Sequence, residues 1–306
     1  MITAIVSLFS RMLAAATPIA LGAVGGIFGE KSGISNIGLE GTMVFGAFGA
    51  VVGCYYSGSP WIGLLCGAAT GILISLLHAY FCITLRIDQS VIGIAINILA
   101  SSVTVYLSSI LFGNKGFSPN VAKLPDISIP LLSKIPVAGL IFQNMSVLTL
   151  AACIFPFFMS FLLYKTKFGL HVLASGEAPK AAYVMGIAVK RVQYLAVIIG
   201  GFGCGLAGAY LSISYLSQFV RDMVAGRGFI AIAAILFGSY HPIGVMLASL
   251  FFGLADALQM SLQGNVTIPN ELIQCIPYLC TIAAVSLNQL SGRKSVKTKI
   301  KEGSVN

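Results

Sequence analysis

From Gly41 to Leu85 the chain carries no Asp, Glu, Lys or Arg. A spanning helix takes about 20 apolar residues, so this one run holds enough for two crossings of a bilayer. The turn signal SGSP, Ser57 to Pro60, divides it. The apolar runs are continuous, whereas a transmembrane barrel needs short alternating segments. Composition agrees: 57% of residues are hydrophobic and 9% charged, against roughly 25% charged in a soluble domain. The fold class is an all-α polytopic membrane protein.

Gaps between charges locate the other spans. Met12 to Gly29 makes a first crossing, with Pro18, Gly22, Gly25 and Gly26 indicating a kinked, closely packed helix. Arg11 interrupts the first apolar stretch, so a cleavable signal is not expected. The sequence GEKSGISNIGLEG, Gly29 to Gly41, is a polar turn followed by an unusual return to apolar sequence. Ser90 to Phe112 is a fourth span and Ser146 to Tyr164 a fifth, separated by a proline-bearing external loop over 113–145. Val192 to Phe219 is a sixth. A short run, Phe229 to Phe237, and a longer one, Ile243 to Leu258, flank the break GSYHP. Glu271 to Asn288 precedes a basic tail over 291–306.

Net charge is +9, concentrated in the tail and in the stretch 165–191, where Lys165, Lys167, Lys180, Lys190 and Arg191 oppose Glu177. Basic segments beside spans favour the cytoplasmic side, and that reading displaces nucleic-acid binding. With both segments cytoplasmic, an even number of crossings separates them. This gives about nine crossings, with eight and ten as alternatives.

An internal repeat follows. SGSPWIGLLCGAATGIL (Ser57 to Leu73) resembles SYHPIGVMLASLFFGLADAL (Ser239 to Leu258), with Pro60 to Gly71 and Pro242 to Gly253 at equal spacing. Each copy follows a broken glycine-rich start, and the odd number of crossings between them makes the copies antiparallel. Inverted repeats with broken helices are a transporter architecture that handles substrate at the repeat interface. The organisation is a first repeat over 12–112, a linking span over 146–164, a cytoplasmic stretch over 165–191 and a second repeat over 192–290.

Polar groups at membrane depth are costly and mark candidate positions. Asn36, Glu40, Asn97, Asp256 and Gln259 are candidates for a translocation path. Asp256 reads either as a contact along that path or as a brace between helices. Asn36 and Glu40 read equally as helix caps. His78 and His241 read as packing residues. Catalytic and metal sites are not expected: HExxH, GxSxG, a P-loop and Cys/His metal spacings do not occur. Within 165–191, Gly176 and Pro179 bracket a helix start, and the small residues that follow, ending at Gly186, suit close approach by a rigid partner.

Three stretches resemble the permease subunits of bacterial ABC importers in the branched-chain amino acid, ribose and nucleoside branch. GEKSGISNIGLEGTMVFGAF is similar to the start of the nucleoside-type permeases. GEAPKAAYVMGI is similar to the cytoplasmic coupling helix, and GRGFIAIAAILFGSYHPIGVMLASLFFGLADAL to the second-half signature. The resemblance implies a type II importer-like fold and a translocation path for nucleosides, with ribose-type sugars or branched-chain amino acids as alternatives. It implies a second permease (identical or related), an ABC ATPase that holds ATP and magnesium, and an extracytoplasmic binding protein or lipoprotein that delivers substrate. This chain would bind no cofactor itself. Gly176, Glu177, Ala178, Pro179, Ala181, Ala182 and Gly186 would form the coupling element. The expected location is the bacterial cytoplasmic membrane, with the C-terminus cytoplasmic. A stand-alone ion-coupled transporter is the rival, and Glu40 and Asp256 offer it few ion ligands.

Overall fold

The computed structural model describes residues 2–127 and 145–263. The expected span Glu271–Asn288 and the basic tail lie outside the described residues. The elements are α1 (Ile2–Lys31), α2 (Leu39–Ser57), α3 (Pro60–Ala79), α4 (Gln89–Phe112), β1 (Asp126–Ile127), β2 (Met145–Ser146), α5 (Val147–Lys165), α6 (Lys167–Glu177), α7 (Pro179–Val184), α8 (Val189–Ala209), α9 (Arg227–Phe237) and α10 (Pro242–Leu262). Two π turns extend helices without breaking them, Tyr80–Thr84 after α3 and Tyr210–Tyr215 after α8.

Seven of the described helices are long and apolar enough to cross a membrane. Their ends can be aligned by contacts. Gly176 in α6 lies against Lys31 and Gly33. Thr84, at the end of the first π turn, bonds Tyr194 at 2.6 Å, and His241 stacks on Tyr164 at 5.2 Å. The C-terminal ends of α1, α3, α5 and α9 therefore gather with 165–191 at one end of the molecule, the basic end. α4, α8 and α10 start there and run the other way, while α2, reached from the same end through the loop 32–38, begins deeper, level with the start of α9.

A further crossing, the seventh in chain order, lies between α8 and α10 and is discontinuous. α9 has 11 residues, about 16 Å at 1.5 Å per residue, roughly half the hydrocarbon thickness. The chain descends to it from Tyr215 as an irregular segment with positive φ at Ser217, Asp222, Ala225 and Gly226. Irregular backbone survives at membrane depth only when other protein satisfies it. Here residues 116–124 do so: Val121 N–H donates to the Ser217 carbonyl (2.9 Å), Ser118 N–H to Phe219 (3.1 Å) and Arg221 N–H to Gly116 (2.7 Å). The polar stretch that sequence places before the short run is thus the first part of that crossing.

The repeat is visible in the packing. α1 packs on α8 and α10, α8 on α1 and α3, α2 on α3 and α8, and α9 on α10 and α1. Exchanging α1 with α8, α2 with α9 and α3 with α10 leaves this pattern unchanged. α3 and α10 both begin with proline at the first helical position, which needs no N–H there, and they start from opposite ends. The matched glycines do matched work. A Cβ on Gly71 would lie 2.6 Å from Gly205 Cα in α8, and one on Gly253 would lie 2.6 Å from Ala16 Cβ in α1.

Close helix approach is a general device here, since small residues let backbones touch where lipid offers no hydrophobic drive. At the α2–α8 crossing a Cβ on Gly46 would sit 2.8 Å from Gly205 Cα and 2.9 Å from its carbonyl oxygen. Gly46→Leu is expected to force the two helices apart and to leave little monodisperse protein after detergent extraction. Gly58→Asn is the control, at an open left-handed cap with nothing within 4 Å, and should purify like the parent, since Asn tolerates that conformation.

Within 165–191 the helix α7 starts at Pro179, inside the Gly176–Pro179 bracket, and a further helix, α6, precedes it. α6 and α7 are separate, broken at Ala178 (φ −144°, ψ 73°). The cause is Pro179, whose ring disfavours helical geometry in the residue before it.

Candidate translocation and coupling sites

The N-terminus of α2 is built by two asparagines. Asn36 Oδ1 accepts the Gly38 N–H at 2.9 Å, closing the turn that precedes the helix. Asn97, reaching from α4, accepts the Gly41 N–H at 2.8 Å and donates to the Ile37 carbonyl at 3.2 Å. A helix start leaves four N–H groups without intrahelical partners. α2 meets that need with a side chain from a neighbouring helix.

Glu40, in the first turn of α2, serves the other broken helix. Its Oε1 accepts the Gly226 N–H at 2.9 Å and its Oε2 accepts the Gly228 N–H at 2.7 Å. The carboxylate thereby caps α9, with its negative charge at the positive end of that helix. The approach requires glycine: a Cβ on Gly228 would lie 2.5 Å from the Glu40 backbone nitrogen. Arg227, between the two capped amides, donates Nη2 to Asp256 Oδ2 in α10 at 3.0 Å. The two side chains of this pair are only 13% and 12% exposed. Its Nη1 contacts the carbonyls of Met223 (3.4 Å) and Val224 (3.3 Å), while Nε is buried with no hydrogen-bond partner.

Four of the five polar residues singled out in sequence therefore serve the two broken starts, Asn36 and Glu40 from the start of α2, Asn97 from α4 and Asp256 from α10. They act there as caps and a brace: Asn36, Asn97 and Glu40 hold helix N-termini, and Asp256 holds Arg227. Gln259, in the next turn of α10, lies outside this network.

Sequence reasoning missed a neighbouring pair of cavities. One, of about 190 Å³, lies between α1, the second π turn and Arg227, and includes Arg11, Pro18 and Met260. The other, of about 280 Å³, is lined by hydroxyls of Ser146, Thr149 and Ser214, with Lys123 and Asp126 also on its wall. Ala14, Tyr210 and Tyr215 line both. Ser146 and Ser214 share a hydrogen bond of 2.5 Å, and Thr17 donates to Thr149 at 3.2 Å. π turns inside helices are frequent at functional positions. The signal was the string YLSISY (Tyr210–Tyr215), whose hydroxyls alternate inside an apolar span. A search for carboxylates and amides passes over it.

At the basic end, α7 presents Tyr183, Val184 and Met185 at 75%, 84% and 81% exposure. Glu177, Ala178, Pro179 and Ala181 are exposed beside them. Ala182 is buried and Gly176 faces Lys31 and Gly33, so these two belong to the inward side. Gly186, at φ +84° with nothing within 4 Å, turns the chain away. The loop on which Gly176 rests is pinned throughout. Gln193 donates to the Ser32 carbonyl (3.1 Å), Gln89 accepts the Ser35 N–H (2.7 Å), and Ser35 Oγ donates to Glu30 (2.6 Å). That loop leads directly into Glu40.

Residues 8–285 match the family described as branched-chain amino acid transport system / permease component. The chain is 39% identical over 287 residues to the guanosine ABC transporter permease protein NupQ of Bacillus subtilis (strain 168), covering 89% of this chain and 88% of that one. It is 36% identical to the nucleoside ABC transporter permease protein NupC of Lactococcus lactis subsp. cremoris (strain MG1363), over 91% and 90% of the two chains. A putative glucose ABC transporter permease protein of Haloferax volcanii, TsgC13, is 31% identical over 91% and 90%. Among solved structures, an inward-facing conformation of a putative metal-chelate type ABC transporter aligns with TM-score 0.51 and 17% identity, over 90% of this chain and 84% of that one. That likeness concerns the fold.

Proposed function

The chain belongs to the branched-chain amino acid transport system permease family, and from that premise we propose that it carries nucleosides across the bacterial cytoplasmic membrane. As a permease subunit of an ABC transporter it is a multi-pass membrane protein and not itself an enzyme. In this reading an ABC ATPase below holds ATP and magnesium, an extracytoplasmic binding protein delivers substrate from above, and a second permease completes the path. The basic end, with the C-terminal tail, faces the cytoplasm, in keeping with its excess of lysine and arginine.

The observation that carries the substrate assignment is near full-length similarity to permeases named for guanosine and nucleosides. The geometry supports a mechanism for this reading. The exposed face of α7 docks into the ATPase, and α6 presses through Gly176 on the loop 32–38. That loop carries Glu40, and Glu40 holds the start of α9 beside the cavities. Movement of the ATPase pair is thereby passed along covalent backbone and short hydrogen bonds to mid-membrane. Interfaces of this kind are bistable, so a small shift at one end becomes a change of packing at the other.

The test is reconstitution of the permease pair, ATPase and binding protein in proteoliposomes. Labelled guanosine should accumulate only with ATP, and excess leucine or ribose should leave uptake unchanged. Guanosine uptake driven by an ion gradient in vesicles holding this chain alone would overturn the ATP-driven reading. Ribose uptake without guanosine uptake would assign the sugar alternative, which the similarity to the Haloferax permease favours.

A further inference from the structure

Resting on the nucleoside reading above, we infer that the paired cavities at the second π turn hold the nucleoside in transit, with its base in the Tyr215–Arg227 chamber and its sugar in the Ser146–Thr149–Ser214 chamber. The two spaces are chemically unlike. The first has apolar walls, two tyrosine rings and guanidinium groups. The second is lined largely by hydroxyls. They meet at Ala14, Tyr210 and Tyr215. A nucleoside has the same division, a flat heteroaromatic ring joined to a polyol. Aromatic rings and guanidinium planes stack on bases irrespective of sequence, and serine and threonine hydroxyls both donate and accept, as sugar hydroxyls do.

Arg227 supplies the directional contact. Its Nη1 and Nη2 are engaged with two carbonyls and Asp256, while Nε is buried with no partner in a residue that lines the first chamber. A buried donor left unmade is costly, and a ligand acceptor toward which the guanidinium turns removes that cost. Purines offer such acceptors at N7 and, in guanine, O6, the atoms that arginine addresses in other settings. Ribose alone fills the hydroxyl chamber and leaves this donor empty. The position also suits a path: α1 belongs to one repeat and the π turn and Arg227 to the other, and transporters of inverted-repeat design bind substrate at that junction.

The experiment crosses ligand analogues with variants in the complete reconstituted transporter. Wild-type uptake of guanosine is measured first, and its absence is a failure of the nucleoside reading itself. Uptake of guanosine is then compared with that of 2′,3′-dideoxyguanosine and 7-deazaguanosine in wild type, Ser214→Ala and Arg227→Lys. The binding protein is the same throughout, so its own preferences cancel between variants. Ser214→Ala should reduce discrimination against the dideoxy analogue by about tenfold, the worth of one neutral hydrogen bond, and leave the 7-deaza ratio unchanged. Arg227→Lys keeps a cation for Asp256 but lacks Nε, and should do the reverse. Should that variant not purify as a monodisperse complex, Tyr215→Ala replaces it, with loss of selectivity for guanosine over ribose expected. Analogue ratios that stay at wild-type values in every variant that transports guanosine place the nucleoside elsewhere and overturn the proposal.

Discussion

Glu40→Ala is expected to abolish uptake and to destabilise the purified permease by roughly 3–5 kcal/mol. The magnitude follows from the two charge-assisted hydrogen bonds it removes, each worth about 1.5–3 kcal/mol. Both Oε1 and Oε2 are engaged, with Gly226 and Gly228 respectively. Alanine leaves those two amides without acceptors where water is scarce, and the start of α9 loses the negative charge opposite its positive end. Glu40→Gln retains one carbonyl oxygen and should fall between, whereas Glu40→Asp is a methylene too short to reach both amides and should resemble alanine. Denaturant unfolding in detergent and uptake in proteoliposomes read the two effects separately. Transport by Glu40→Ala at more than half the wild-type rate would mean that the carboxylate does not hold α9 in the working protein.

The second large effect is expected at the other end of the same mechanical chain. Ala181→Trp, Val184→Glu and Glu177→Lys each alter the exposed face of α6–α7 without touching this chain's interior. They should leave membrane insertion and thermal unfolding at wild-type values while weakening ATPase docking by about thirtyfold or more, the scale of an interface hot spot of about 2 kcal/mol. ATP hydrolysis should then run without uptake, or the ATPase should fail to copurify. Ala182→Trp is the contrast. That residue is buried, so the same substitution one position along should lower stability first. Normal uptake in all three outward variants would return 165–191 to the role of a topology-setting loop.

The crossings were legible because charge is expensive in lipid, so gaps between charged residues mark helices wherever backbone follows the hydrophobic pattern. The repeat was legible for a related reason: Pro60 and Gly71, and Pro242 and Gly253, are backbone requirements that tolerate few substitutes. The partners of the polar residues were not. Glu40 meets backbone amides 186 and 188 positions away, and an amide carries no side-chain signature. Asn97 is hidden in the same way, since what it caps is the start of a different helix. The cavities escaped because Ser146, Thr149, Tyr210 and Ser214 stand in apolar spans, where a hydroxyl commonly bonds its own helix carbonyl. Only the fold brings four such groups to one wall. The break at Ala178 was readable from Pro179, which cannot follow a helical residue without strain and so marks the start of α7.

The shortness of α9 has a consequence for how the chain is made. A segment of 11 residues beginning with an arginine is a poor substrate for direct insertion into lipid, because its amides and its charge find no partners there. Apart from Asp256 and its own turn, the polar partners of this stretch come from residues already synthesised, Glu40 for its first amides and 116–124 for the strand-like approach above it, while α10 later supplies apolar packing. Asp256 follows some 30 residues later and closes the ion pair. The first half of the protein thus carries most of the polar partners that the start of α9 uses, and the order of synthesis makes them available before α9 emerges, a direction that the symmetry of the finished molecule conceals.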